Sequence, residues 1–219
     1  MMTRASASKA AADQRRLGLA AVAGMIVPVL FVAVFTVEGW RRPGYSPLSM
    51  FVSELSLGPD GGVQIANFLV TGALVFVFGR GLAAYSRHGA ASRAGSVFLQ
   101  IIGISLMRPD RSPPIPPRCS ISAHGIIHGV FGALVFSLAP ASCFLFYRRF
   151  RGDPAWRPLA GWTLTAGELL TLGIGLLKIS ELPQAGLFGY KGLVQRVLLV
   201  TFMTWLFAVA TRLHRQTAP

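Results

Sequence analysis

Long apolar runs alternate with short polar stretches along the whole chain. Six runs reach or approach the ~20 residues needed to cross the hydrocarbon core of a bilayer. They fall at roughly 17–37, 64–85, 90–107, 122–147, 159–178 and 192–211. The third is the weakest, because Ser92, Arg93 and Ser96 interrupt its start. The pattern predicts an all-α polytopic membrane protein, a six-transmembrane-helix bundle over 17–212. A mobile tail is expected over 1–16 and a short one over 213–219, with no room for a soluble domain.

A finer period marks the segment between the first two runs. Ser46-Pro47 reads as a cap followed by proline at a first helical position. Leu48, Phe51, Val52 and Leu55 follow at i, i+3, i+4 and i+7 before Gly58-Pro59. This spacing predicts a short amphipathic helix, lying on the membrane surface or capping the bundle, with Glu54 on its flank. The segment Arg108 to Arg118 is different. Pro109, Pro113, Pro114, Pro116 and Pro117 rule out a helix there and would hold Arg108, Asp110 and Arg111 close above the fourth span.

Composition supports the membrane reading. Hydrophobic residues make up 53% of the 219 and charged residues 13%, against about 25% charged in soluble domains. The net charge of +13 would suit nucleic acid if it lay on one soluble face. It lies instead in short loops between spans, which reads as topology and leaves no nucleic-acid partner. With both ends inside, thirteen of the 21 Lys and Arg residues sit on the inner side, while Glu38, Glu54, Asp60, Asp110 and Glu181 sit outside. The expectation is a multi-pass protein of the cell membrane with cytoplasmic termini. The basic start resembles a signal peptide, but its apolar run is long and no A-x-A-like site precedes Glu38, so it reads as an uncleaved span. Cys119 and Cys143 would lie ~35 Å apart along a fourth helix, too far for a disulfide.

The candidate chemistry gathers at the outer side. His124 and His128, at i and i+4, project from one helical face and can share a zinc ion, with Asp110 as a third ligand. Glu54 would then be the base, and Glu54 and Asp110 are the catalytic candidates for a hydrolase. Ile126 and Ile127 fill the middle, so this is not the H-E-x-x-H motif. Gly125, Gly129 and Gly132 read as a small-residue face for close helix packing, as do Gly161, Gly167, Gly173 and Gly175. Glu168 lies midway along the fifth span. It is expected either to pair with Arg196 inside the bundle or to carry a proton. Ser53, Glu54 and Asn67 are the polar residues expected at the outer mouth, and Asn67, Thr163, Thr165 and Thr171 are expected to bond between helices.

These motifs carry a resemblance. Ser53-Glu54-Leu55-Ser56 before the second span, Pro109-Asp110 after the third, His124 through His128 opening the fourth and Gln195-Arg196 in the sixth resemble the six-span bacterial family catalogued as domain-of-unknown-function family 998. The resemblance runs over about residues 17–212 and implies a six-helix fold and no activity. The proline-rich third loop departs from the family pattern. The layout is also similar, more distantly, to the Frag1/DRAM/Sfk1 membrane proteins, associated with lipid handling. Three functional expectations stand side by side. The first is a non-enzymatic protein that binds a lipid or protein partner through an outer polar site. The second is a zinc-dependent hydrolase of lipid head groups, and the third a proton-coupled transporter using Glu168 and Arg196.

Overall fold

A computed structural model describes residues 4–58, 60–85, 90–108, 123–182, 184 and 186–217. They form six α-helices: α1 (Arg4–Arg41), α2 (Gly62–Tyr85), α3 (Ala90–Leu106), α4 (Ala123–Phe150), α5 (Ala160–Ser180) and α6 (Lys191–Thr217). The stretches Ala12–Arg41, Gly62–Tyr85, His128–Phe150, Arg157–Ser180 and Phe188–Thr217 are long and apolar enough to cross a membrane, and Ser92–Leu106 is a shorter apolar helix. The architecture is an all-α membrane bundle, as the hydropathy pattern predicts. α1 starts within the stretch expected as a tail. Alanines favour the helical backbone there, and Gln14 Nε2 donates to the Thr217 carbonyl at 2.8 Å.

Helices that follow one another in the chain are neighbours in the bundle. Each helix packs on the next, and α6 returns against α1, so the six close into a ring. α6 is its most enclosed member, burying Leu198, Phe202, Trp205, Leu206, Val209 and Leu213. Trp205 packs on Phe146 of α4, ring centres 5.9 Å apart, and its indole N–H donates to Thr163 of α5 at 3.2 Å. Asn67 donates across to the Phe31 carbonyl of α1 at 3.2 Å. The interhelical bonds expected of Thr163 and Asn67 therefore form, whereas Thr171 turns back on its own helix at Gly167.

Without water between helices, close backbone approach replaces the hydrophobic drive. The closest approach joins α2 and α3, where a Cβ on Gly72 would collide with the Gly103 carbonyl and one on Gly103 would lie 2.6 Å from the Gly72 carbonyl. Gly24, Gly81, Gly95, Gly167 and Gly173 also abut neighbouring side chains. The face expected at Gly125, Gly129 and Gly132 behaves differently: a Cβ on Gly129 or Gly132 would meet nothing within 4 Å. Their spacing fits a packing motif, but among the described residues nothing lies against Gly129 or Gly132.

The chain termini share one end of the ring. Trp156, in the turn between α4 and α5, stacks on Phe150 at 4.6 Å and meets Tyr85 edge-on at 5.8 Å. Arg212 and Gln216 of α6 bind the Ala155 carbonyl at 2.7 and 3.0 Å. The loop 42–61, which joins α1 to α2, closes the other end.

Gly72→Leu is expected to lower stability by about 1–3 kcal/mol through overpacking against α3. Gly129→Ala, with open space around it, should leave the melting temperature in detergent unchanged. Equal melting of the two variants would contradict the α2–α3 contact.

Candidate functional site

The segment expected as one amphipathic helix is divided. A turn covers 47–49, Phe51 is extended at φ −71°, ψ 152°, and only Val52–Ser56 coils, as a 3-10 helix. Burial explains the apolar spacing in part, since Val52 and Leu55 are each 1% exposed whereas Leu48 is 49% exposed. Backbone groups that a continuous helix would pair internally are taken up instead by side chains of α6 and by Arg42, just past the end of α1.

Arg196 of α6 does most of this. One guanidinium nitrogen donates to the carbonyls of Pro47 at 2.6 Å, Met50 at 3.0 Å and Gly192 at 3.2 Å. The other donates to the Tyr45 hydroxyl, which in turn donates to the Phe51 carbonyl at 3.0 Å. The guanidinium carbon also lies 5.4 Å and 5.9 Å from the Tyr45 and Phe35 ring centres. Burial pushes the Tyr45 phenol above its usual range, opposed by the Arg196 bond, so the neutral, donating form is favoured. Gln195 adds a buried bond, accepting from the Val52 N–H at 2.7 Å. From the start of the loop, just past α1, Arg42 donates to the carbonyls of Glu54, Leu55 and Leu57. Gly192 is required by closeness, since a Cβ there would run into the Met50 carbonyl.

Under this roof lies a cavity of about 290 Å³. Val52 and Ser53 line it from above, Phe68 from α2, Ser105 and Leu106 from α3, His128, Phe131, Val135 and Phe136 from α4, and Gln195 and Leu199 from α6. Its walls are apolar. The polar groups are few and lie on the loop side. Arg108 borders the opening, its guanidinium 5.3 Å from the Phe131 ring centre. Gly132 also lines the wall, and the open space beside it is the cavity itself.

Of the residues singled out from sequence, Ser53 and His128 reach this cavity together. Glu54 does not line it. Its carboxylate accepts the Phe51 N–H at 2.9 Å and so caps its own 3-10 turn. Asn67 faces α1, beside Gln64, its amide donating to Gln64 Oε1 at 3.3 Å. Asp110 and the His124 side chain lie outside the described residues. Among the described residues no three His, Cys, Asp or Glu side chains gather at metal-binding spacing. The structure does not bring Glu168 and Arg196 together. Glu168 sits on the exposed face of α5, and the Arg196 guanidinium is occupied by the loop. Sequence reasoning missed the Arg42 contacts and the Tyr45 link. Gln195-Arg196 gave a signal, as adjacent polar residues near the start of an apolar helix.

The model of the family described as Protein of unknown function (DUF998) matches residues 25–212, and the chain belongs to that family. No curated protein and no solved structure matches the chain. Of the motifs quoted for the resemblance, Gln195-Arg196 binds Val52 and Met50, the residues that lead into Ser53 through Ser56.

Arg196→Gln is expected to destabilise the protein by about 2 kcal/mol, because hydrogen bonds from a charged group are lost and loop carbonyls are left unpaired. It should also expose 46–57 to proteolysis. Lys191→Gln, which removes only a cation 5.0 Å from the Phe51 ring centre, should change neither by a comparable amount. Identical cleavage of wild type and Arg196→Gln would contradict the clasp.

Proposed function

For this member of the DUF998 family, we propose a non-enzymatic role: binding an amphiphile with an anionic head in the cavity beneath the 42–61 loop. The observation that carries this reading is the division of the lining. Phe68, Leu106, Phe131, Val135, Phe136 and Leu199 supply apolar wall, and Ser53, Ser105, Arg108, His128 and Gln195 are the polar side chains among them. Ligand sites commonly combine such walls with a small number of polar groups that set orientation. An acyl chain suits the wall, and a phosphate or carboxylate suits a guanidinium, which offers paired donors. The volume lies at the lower end of the roughly 300–1,000 Å³ usual for small-molecule sites, which favours one chain or part of one.

The proposal extends to orientation. The terminal end carries Arg148, Arg149, Arg151, Arg157, Arg212 and Arg215, and the positive-inside rule puts such an end in the cytoplasm. The six helices then cross the cell membrane, and the cavity opens toward its outer leaflet. The lipid-binding reading is preferred to the hydrolase one because Glu54 does not line the cavity and one of its oxygens caps its own turn.

Lipid that stays with the full-length protein through purification in mild detergent can be counted by native mass spectrometry. Wild type is expected to retain an anionic lipid. Gly132→Leu, which fills the cavity without touching a neighbouring helix, should reduce retention about tenfold, equivalent to about 1.4 kcal/mol. Arg108→Gln should weaken retention of anionic lipid more than of zwitterionic lipid. Unchanged retention in Gly132→Leu, with normal melting, would refute the cavity as the binding site.

A further inference from the structure

Glu168 is the least accommodated side chain in the bundle. At 1.5 Å per residue it lies about 12 Å from the Ala160 end of α5 and about 18 Å from the Ser180 end, near the middle of a helix apolar enough to cross a membrane. It is exposed on the outside of the ring. Among the described residues it has no hydrogen-bond or ion-pair partner. An intramembrane carboxylate ordinarily faces the bundle interior or a watery cavity, because hydrocarbon offers it nothing. Here it faces away from the five other helices and does not line the cavity under the loop.

The surface around it is organised. Gly161, Glu168 and Gly175 are spaced by seven residues, so they fall on one face with a drift of only about 20° per interval. That is the period of helices packed along one another at a shallow angle. Both glycines are exposed, and a Cβ on either would meet nothing within 4 Å. Leu172, on the same face, is 72% exposed, more than any other aliphatic side chain among the described residues. Thr165, one turn from Glu168, completes the stripe. Among the described residues its hydroxyl has no partner, whereas that of Thr171 donates to its own helix.

We propose that this face of α5 is the contact between two copies of the chain, with the Glu168 carboxyl of each accepting a hydrogen bond from the Thr165 hydroxyl of the other. The argument for a second copy is complementarity. At 100° per residue, Glu168 and Thr165 flank the midline of the stripe on opposite sides. A twofold axis along the helices turns each side of one copy toward the opposite side of the other. Acceptor therefore meets donor twice, with Leu172 and Gly161 between them. Small residues let the two backbones approach, and the polar pair fixes the register. The contact is independent of the cavity and of its ligand.

The test uses the full-length protein, fluorescently tagged and reconstituted at low density in phosphatidylcholine liposomes. Single-molecule photobleaching of wild type is expected to show two steps. Glu168→Leu, which suits lipid but removes the acceptor, should raise the dimer dissociation constant about tenfold or more, and Glu168→Gln, which keeps an acceptor, should recover part of the loss. As a second measurement, Leu172→Cys should form an oxidised dimer in membranes, above the background of the parent chain. Val97→Cys, equally lipid-facing on α3, should not. Single-step bleaching of wild type would overturn the proposal. So would an unchanged dimer in Glu168→Leu, or Leu172→Cys crosslinking only to a different protein.

Discussion

The loop between α1 and α2 must close one end of an apolar bundle with an irregular backbone, and its carbonyls and N–H groups must find partners there. A buried unpaired polar group costs about 1–3 kcal/mol. A regular helix would meet the requirement internally, but this segment is only partly helical. The partners come from outside it. Arg196 takes the Pro47 and Met50 carbonyls, Gln195 takes the Val52 N–H, and Arg42 takes the carbonyls at the end of the 3-10 turn. Arginine is suited to this work because its planar fork satisfies several acceptors at once and keeps its charge. The loop thus becomes a roof fixed to α6 and tied back on itself by Arg42, beside the end of α1.

The rest of that end of the bundle follows from where the roof is fixed. It seals tightly over α1 and α6, with Gly192 allowing contact with Met50. Toward α3 and α4 no comparable clasp exists among the described residues, and the cavity opens there. α2 and α3 are held together by the Gly72–Gly103 approach, while Gly129 and Gly132 leave α4 standing back. Tight packing on one side and missing side chains on the other shape the space beneath the roof. Gln195 both lines that space and holds the roof above it.

Much of the fold was legible in the sequence. Apolar length located all six helices, although α1 begins at Arg4, well before its apolar run, and α6 continues to Thr217. What escaped was long-range. The i, i+3, i+4, i+7 pattern at Leu48 to Leu55 correctly picked Val52 and Leu55 as inward-facing, yet it could not show that Arg196, over 140 positions away, would take the carbonyls a helix needs. Glycine spacing was equally ambiguous, since Gly125-x-x-x-Gly129 reads like a packing motif whether or not a neighbour is present. Glu168 and Arg196 invited pairing as opposite charges in adjacent spans, but α5 turns Glu168 outward and the loop claims Arg196. Ser53 and His128 were rightly expected at the same end, while the roles of Asp110 and His124 fall outside the described residues.

The central claim is that Arg196 and Gln195 of α6, with Arg42 at the start of the loop, hold the roof closed. It is tested most directly by hydrogen–deuterium exchange of the wild-type protein in lipid nanodiscs, read over 46–57. The Val52 amide, buried against Gln195, is predicted to exchange as slowly as amides in the middle of α6. Exchange of that amide at the rate of an unstructured loop, with α6 still protected, would contradict the account.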